Sequence, residues 1–156
     1  PKRNAKIGPV MFEVENLSVR NLIHNVSFNV RAGEVFGISG LVGSGRTETA
    51  KAIFGELKKT SGCIRIEGKE VTIKSPHDAI KHGIGLLTEN RKEEGLFLDK
   101  SVCWNTVSAA LEKIKSNGIL NFTKERNIVL DFVEALQIRL SSIDTEARYL
   151  SGGNQQ

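Results

Sequence analysis

The stretch GISGLVGSGRTE, which begins at Gly37, constrains the fold of this 156-residue chain more than any other feature. Four residues separate Gly40 from Gly45, and Thr47 stands two positions after the second glycine. Glycines at this spacing let the backbone curl until successive N–H groups point inward, where phosphate oxygens can accept hydrogen bonds. The pattern is typical of a phosphate-binding P-loop, although a glycine-rich turn without a ligand has the same composition.

The flanking segments favour the P-loop interpretation. Residues 34–39, EVFGIS, are short and mostly apolar, which predicts a buried parallel strand. Residues 46–54 suit a helix that Gly55 ends, and a helix beginning at the loop adds partial positive charge there. The hydroxyl of Thr47 is placed to ligate Mg²⁺. The candidate nucleotide-binding residues are Gly40, Leu41, Val42, Gly43, Ser44, Gly45, Arg46, Thr47 and Glu48.

Arginine occupies position 46, where the P-loop pattern has lysine. The guanidinium keeps the positive charge and binds phosphate as a fork, but it is bulkier and planar, so it does not place a compact charge between two phosphates. Glu48 favours the helix dipole and can also pair with Arg46 and divert it. We therefore predict a loop that binds nucleotide and supports hydrolysis poorly.

The composition is that of one ordinary globular domain, or of part of a larger one, with 39% hydrophobic and 26% charged residues. No apolar run approaches the roughly 20 residues of a membrane span. The chain begins with Pro1 rather than Met, from which we expect a longer parent protein. The net charge of +4 leaves nucleic acid open as a partner, but no basic stripe is interleaved with aromatic residues, so none is expected. Cys63 and Cys103 lack metal or redox spacing and are expected to be reduced and buried.

Strands and helices are expected to mix in the first hundred residues. The pattern predicts strands at residues 11–19, 26–30 and 84–88, a hairpin within 61–73, and a short helix that Ser75 caps and Pro76 begins. We expect a linker or tail (1–10), a nucleotide-binding core with the P-loop (11–94), a helical subdomain (95–150), and the start of a further helix (151–156).

The helical part is predicted from apolar spacing and caps. Val107, Leu111 and Ile114 share one helix face after a Ser101 cap, and residues 117–118, Asn-Gly, stop that helix. Thr123 is expected to cap a second helix. The apolar stripe of that helix comprises Ile128, Val129, Phe132, Val133 and Leu136.

A second motif stands at the end of the chain, LSGGNQQ, with the candidate residues Leu150, Ser151, Gly152, Gly153, Asn154 and Gln155. An SGG segment alone is compatible with a flexible tail or a helix cap. The Ser151 hydroxyl and the Gly152 and Gly153 amides can also surround a phosphate group. Together with the P-loop, LSGGNQQ resembles the signature motif of ABC-type ATPases.

Three segments in order, GLVGSGRTE, LLTENRKEEGLFLDKSV and LSGGNQQ, resemble the second ATP-binding domain of bacterial monosaccharide importers of the ribose, galactose and xylose type. The resemblance extends from about Phe12 to Gln156. It implies an α/β fold, namely a P-loop NTPase (ABC ATPase) core with an N-terminal antiparallel β part and a helical subdomain, truncated before the Walker B strand.

The resemblance assigns a role to the segment that follows residues 84–88. Glu89 falls where most ABC domains have the Q-loop glutamine, which senses Mg²⁺ and the attacking water and links to the membrane subunit. Glutamate offers oxygen ligands without an amide donor, and a solvated loop charge is the alternative interpretation. Residues 90–98 would lie where a membrane subunit docks, with Leu96, Phe97 and Leu98 either contacting it or packing in the core.

Two departures from the family pattern limit what the resemblance implies. Residues 17–25, LSVRNLIHN, contain no aromatic side chain where many ABC domains stack one on adenine. In the family an Asp, the catalytic Glu and a switch histidine follow the signature. The sequence stops at Gln156, and its histidines, His24, His77 and His82, all precede the signature and are not that switch. We therefore expect no catalytic residue in the chain and no turnover by it alone.

In the importers that the chain resembles, ATP and Mg²⁺ are the cofactors and two ATP-binding domains pair head to tail. The signature completes the site on the companion ATP-binding domain, and closure is transmitted to membrane subunits that receive sugar from a periplasmic sugar-binding protein. The expected location is the cytoplasmic face of the bacterial inner membrane. The alternatives are another P-loop enzyme, such as a nucleotide kinase or GTPase, and a non-catalytic nucleotide-dependent interaction module.

Overall fold

The structure is a computed structural model that describes residues 6–116 and 118–156. The chain divides into two compact units, one as far as Leu86 and one comprising Leu87–Gln156. This division precedes the boundary that the sequence suggests after residue 94. Of the predicted linker, residues 1–5 lie outside the described residues, whereas the N–H of Gly8 donates to Ala32 O at 2.9 Å.

The first unit contains a sheet in which neighbouring strands are antiparallel. Its strands are β1 (Val10–Val19), β2 (Ile23–Arg31), β3 (Ser61–Ile66) and β4 (Lys69–Val71), in the spatial order β2-β1-β3-β4. Positive φ values at Glu67 (51°) and Gly68 (75°) form the tight turn between β3 and β4. The N-terminal antiparallel part and the hairpin predicted from alternation are confirmed.

Two helices pack on this sheet. The first, α1 (Arg46–Ile53), buries Ala52 in one apolar cluster with Val14, Leu17, Val19 and Ile23 of β1 and β2. The second, α2 (Pro76–Lys81), buries Ala79 beside Ile64 and Ile73. Ser75 caps α2 as predicted, since its Oγ accepts a hydrogen bond from the Asp78 N–H.

The parallel strand predicted at residues 34–39 and the further strand predicted at residues 84–88 are wrong. Neither segment is a strand, and Val35 and Leu87 are 68% and 94% exposed. A hairpin strand finds its partner next to it in the sequence, whereas a parallel strand exists only through a neighbour far away along the chain. Within residues 6–116 and 118–156 no strand pairs with either segment. Apolar composition alone therefore leaves both segments extended and irregular.

The second unit is mostly helical. Its elements are α3 (Val102–Ser108), α4 (Leu111–Ile114), a short hairpin of β5 (Lys115–Ser116) and β6 (Ile119–Leu120), α5 (Phe122–Ala135) and α6 (Gly152–Gln155). Their core consists of Cys103, Val107, Ile114, Val129 and Ile143. In the part of this unit that is described, as in the first, no helix has the length and hydrophobicity of a membrane span.

The Ser101 cap is confirmed, because its Oγ accepts from the Trp104 N–H at 3.0 Å. The single helix predicted from Val107 to Ile114 is wrong, since residues 109–110 interrupt it and Leu111 is 44% exposed. Asn117 lies outside the described residues.

The predicted Thr123 cap is also wrong, because Asn121 caps α5 by accepting from the Lys124 N–H. Asparagine and threonine are both good caps, and the turn after β6 decides which of them is used. The apolar stripe is confirmed in part. Val129 is fully buried, with Ile128 and Val133 packed on the core, whereas Phe132 and Leu136 are exposed.

Both cysteines are free thiols, as expected. Cys103 is buried in the second unit, and burial together with the nearby Glu125 carboxylate raises the pKa of its thiol. The expectation of burial is wrong for Cys63, which is only half-buried and lies on β3 opposite Glu15 of β1. Its Sγ donates to the Glu15 carboxylate at 3.4 Å.

Candidate functional site

The glycine-rich loop forms a tight, exposed turn at the start of α1. Gly43 and Gly45 have φ values of 81° and 85°, in the left-handed region that glycine adopts without strain. The Ser44 N–H donates to Leu41 O at 3.1 Å and closes the turn. The Val42 side chain is 99% exposed, so this residue can serve the loop through its backbone alone.

Gly45 is the point at which the loop meets the sheet. A Cβ at this position would lie 2.5 Å from Ile23 Cγ2 and 3.3 Å from Leu22 O, so only glycine fits. The tip of the β1–β2 hairpin therefore borders the loop. The segment 17–25, which has no aromatic residue to stack on a base, contributes buried core residues (Leu17, Val19 and Ile23) together with the exposed Leu22.

The first turn of α1 presents free backbone donors. Gly45 is the N-cap and has no side chain with which to cap the helix, so the N–H groups that follow it remain open to a ligand. Its carbonyl accepts from both the N–H and the Oγ1 of Thr49, at 2.8 and 2.7 Å. These two bonds fix the direction in which α1 leaves the loop.

Arg46 and Thr47 are both exposed in this first turn, one bringing a guanidinium and the other a hydroxyl. The possible diversion of Arg46 by Glu48 is not observed, because no ion pair joins them among the described residues. After the left-handed cap at Gly45, the open N–H groups and the guanidinium are donors suited to an anionic group such as phosphate.

The donor set for a metal is small. Within residues 6–116 and 118–156 no cluster of three or more His, Cys, Asp or Glu side chains is arranged to hold an ion. Thr47 is the hydroxyl ligand that the loop offers, and Mg²⁺ ordinarily completes its shell with water and substrate phosphates. The residues present fit a magnesium ion that arrives with a nucleotide rather than one held by the protein alone.

A cleft of about 350 Å³ opens beside the loop. Its lining includes Val26, Phe28, Phe36, Ile38, Ser44 and Arg46. The rings of Phe28 and Phe36 are stacked, with centroids 5.1 Å apart and planes at 11°. The lining is therefore mixed, because these apolar side chains lie beside Ser44 and Arg46 of the loop.

In the second unit, Glu89 is exposed and precedes a π-helical turn at Arg91–Gly95. Phe97 is 54% exposed and meets Trp104 edge to face, with ring centroids 4.7 Å apart. The Asn105 amide holds Phe97 in place, since its Oδ1 accepts from Phe97 N–H at 2.8 Å and its Nδ2 donates to Phe97 O at 2.9 Å. This aromatic side chain is thus fixed at the surface.

The hydrophobic run around Phe97 divides between surface and interior. Leu96 and Leu98 on either side of it are half-buried. Phe97 is the one of the three that the structure leaves available for contact with another molecule, while the two leucines are packed to a greater degree.

The signature segment begins at Ser151, the N-cap of α6, and exposes Ser151, Gly152 and Gly153. Side chains that follow them anchor the segment. The Asn154 amide pairs with the main chain of Arg139, accepting from its N–H at 3.2 Å and donating to its carbonyl at 3.0 Å. The Gln155 amide donates to Ala147 O at 3.0 Å. Leu150, which precedes this turn, is half-buried.

Sequence reasoning missed Arg91, Asn105 and the anchoring role of Asn154. Arg91 Nε donates to Gln155 Oε1 at 3.4 Å, across 64 positions of sequence. No local periodicity or spacing signals such a bond. Asn105 follows the Ser101 cap in a short helix, and this position is at most a weak signal that its amide bonds to the Phe97 main chain.

The chain is similar to known transport proteins along its length. The family model described as ABC transporter matches residues 23–156. The chain is 47% identical to the ribose import ATP-binding protein of Geobacillus kaustophilus (strain HTA426) and 45% identical to that of Bacillus subtilis (strain 168). Both alignments cover 100% of this chain and 32% of the relative, so the chain spans about a third of the length of these proteins.

Two solved structures share the fold. A nucleotide-free ATP-binding cassette from an ABC transporter has a TM-score of 0.72 at 24% identity, covering 94% of this chain and 61% of that one. A dimeric ATP-binding cassette in a post-hydrolysis state, bound to ADP and Pi, has a TM-score of 0.71 at 21% identity, covering 93% and 65%. The predicted α/β ABC ATPase class is confirmed. The family match and the shared fold both extend over most of the chain. The chain therefore belongs to the ABC transporter family.

Proposed function

We propose that the chain is the nucleotide-binding portion of an ATPase that drives monosaccharide import in a bacterium. Residues 40–48 hold the phosphates of ATP, and residues 150–155 complete a nucleotide site on a companion ATP-binding domain. Hydrolysis belongs to the intact transporter rather than to this chain alone.

The observation that carries the proposal is the geometry at Gly45. A left-handed glycine without a side-chain cap leads directly into α1, whose first turn exposes Arg46 and Thr47. The open N–H groups and the guanidinium bind phosphate oxygens, and the Thr47 hydroxyl is a ligand for Mg²⁺. Bound Mg²⁺ neutralises phosphate charge and so favours phosphoryl transfer.

Arg46 makes this loop better suited to holding nucleotide than to hydrolysing it. A planar guanidinium binds two phosphate oxygens at once, whereas lysine places a compact charge between β- and γ-phosphates. We therefore assign turnover to the companion's loop, which Ser151, Gly152 and Gly153 would face. Glu89 would contact the metal or water through its carboxylate oxygens, as the glutamine does in most of the family.

The relatives named as ribose import proteins support a monosaccharide as the transported substrate. Membrane subunits are then the partners that use the energy of closure, and a periplasmic sugar-binding protein acts indirectly. The protein would lie at the cytoplasmic face of the inner membrane. The exposed Phe97, fixed by Asn105, is a suitable contact for such a membrane subunit.

The test is nucleotide binding by the intact protein carrying Arg46→Ala. We expect affinity for Mg-ATP at this loop to fall roughly 10- to 100-fold, since a hydrogen bond to a charged group contributes about 1.5–3 kcal/mol. Titration with a fluorescent ATP analogue measures the change. Lys69→Ala removes an exposed positive charge from β4 and is the matched control, expected to bind as the parent does.

Phosphate release by the same proteins distinguishes holding from hydrolysis. When the companion site is inactivated, Arg46→Lys should release phosphate faster than the parent. Binding that is insensitive to Arg46→Ala would contradict the assignment of the loop. Fast turnover by the parent at its Arg46 loop would contradict the division of labour between the two loops. Binding without turnover by either site would favour the non-catalytic interaction module.

A further inference from the structure

Arg91 is the residue at which the segment after Glu89 meets the signature segment. It begins the π-helical turn Arg91–Gly95, in which Asn90 O accepts from the N–H groups of Glu93 and Glu94 at 3.2 and 2.9 Å. Its Nε donates to Gln155 Oε1 at 3.4 Å, and both side chains are partly buried. Both belong to the second unit.

The other end of the same amide is tied to rigid backbone. Gln155 Nε2 donates to Ala147 O at 3.0 Å. Ala147 is 2% exposed, and its own N–H donates to Lys100 O at 2.9 Å. The Gln155 side chain therefore spans from fixed main chain on one side to a guanidinium on the other.

The guanidinium also lies against Gly152. A Cβ at position 152 would be 2.9 Å from Arg91 Nη2, which is closer than side chains ordinarily approach. The Arg91 guanidinium thus lies close to where a side chain at position 152 would begin. Arg91 therefore lies against Gly152 and bonds to Gln155 of the signature segment.

We propose that Arg91 is a positioning residue that couples the segment after Glu89 to the signature motif. The inference rests on the proposed function, in which Ser151, Gly152 and Gly153 face the companion's nucleotide. The Gln155 amide links the Arg91 guanidinium to the Ala147 carbonyl, so Arg91 supports the turn that begins at Ser151. A shift of the Arg91 turn changes the support of Gln155, and misplacement by about 1 Å at a reacting site costs up to about 100-fold in rate.

The experiment measures ATP hydrolysis by the complete transporter carrying Arg91→Ala, Gln155→Ala or both. Each single change should lower kcat about tenfold, and the double variant should lower it no further, because both changes break one link. Mg-ATP binding at the chain's own Arg46 loop should be unchanged. A merely structural role would lower the melting temperature and affect both readouts.

Arg139→Ala is the matched control, because Arg139 supports Asn154 through its main chain. Its kcat should equal that of the parent. Additive effects in the double variant, or a normal kcat for Arg91→Ala, would overturn the coupling. If Arg91→Ala fails to fold, a normal kcat for Gln155→Ala overturns the coupling in the same way.

Ser151→Ala separates failure of the coupling from failure of the proposed function. If this change impairs hydrolysis while Arg91→Ala does not, the proposed function stands and only the coupling is lost. If Ser151→Ala leaves hydrolysis intact, the signature is not used, and both the proposed function and the role of Arg91 are refuted.

Discussion

Single residues at the phosphate loop are set by two separate demands, backbone conformation and packing. Gly43 and Gly45 both have positive φ, but space exists around Gly43, whereas a Cβ on Gly45 would meet Ile23 and Leu22. Both glycines are candidate nucleotide-binding residues in the sequence, although only Gly45 is a fixed position of the P-loop pattern. The structure separates them, because only Gly45 is pressed against the β1–β2 hairpin.

Gly45→Ala should therefore be more destabilising than Gly43→Ala. Each change imposes a left-handed conformation on an L-residue, at a cost of about 1–2 kcal/mol. Gly45→Ala adds a 2.5 Å contact with Ile23 Cγ2, which overpacks the core by a further 1–3 kcal/mol or so. Urea denaturation of both variants measures the difference. Equal losses of stability would show that the hairpin yields and that packing is not the reason for the glycine.

The glycine turn and the start of α1 at Arg46 were predictable from sequence because they depend on short spacings. Arg91 was not, since its partner Gln155 is distant in the sequence and the bond forms only after the second unit has folded. Residue identity thus predicts local backbone geometry well. It predicts poorly which side chain from another segment completes that geometry.

At the scale of elements, caps and hairpins follow from local interactions, and α2 is the clearest instance. Ser75 Oγ accepts from the Asp78 N–H and donates to the Asp78 carboxylate, so the two side chains support each other. The Lys74 N–H also donates to that carboxylate at 3.1 Å. These bonds, with that from Ser75 the largest cause, lower the pKa of Asp78 below its ordinary value of 3.8.

Asp78→Asn should lower stability at neutral pH, with the loss disappearing in acid. A carboxyl whose pKa is lower in the folded state stabilises fully above its ordinary pKa, and the contribution is lost as pH falls from there through the folded value. The difference between parent and variant should hence shrink as pH falls below about 3.8. Thermal unfolding from pH 7 to pH 2 measures it.

Ser75→Ala is the companion variant for α2. It removes the strongest support of the carboxylate and should reduce the pH dependence, in addition to costing about 1 kcal/mol as a lost cap. A pH-independent difference between Asp78→Asn and the parent would contradict the link between this carboxylate and the helix.

The strands predicted at 34–39 and 84–88 are wrong, because neither segment has a pairing partner among the described residues. Antiparallel β1, β2, β3 and β4 each have a partner adjacent in the sheet. An apolar segment without such a partner has the composition of a strand but not its hydrogen bonds. Composition therefore indicates that these segments are suited to β-strands. The hydrogen bonds of a sheet form only when a neighbouring strand is present.

At the scale of the whole molecule, each unit has apolar clusters of its own. Leu17 is fully buried in the first unit with β1, β2 and α1, and Val129 is fully buried in the second with α3 and α4 residues. Sequence periodicity predicted part of the apolar face of α5, but not the position of the division at Leu86. The position of the division depends on which distant segments contact each other, and the pattern of a single sequence does not contain this information.

Separate cores predict that destabilisation stays local. Val129→Ala should cost about 2 kcal/mol through a cavity in the second unit and raise amide hydrogen exchange chiefly within Leu87–Gln156. Leu17→Ala, at about 3 kcal/mol, should raise exchange chiefly in the described part of the first unit. Exchange followed by mass spectrometry on the two variants locates the change. A uniform rise across both units in either variant would mean that they unfold as one cooperative structure, and the signature segment would then share the stability of the phosphate loop.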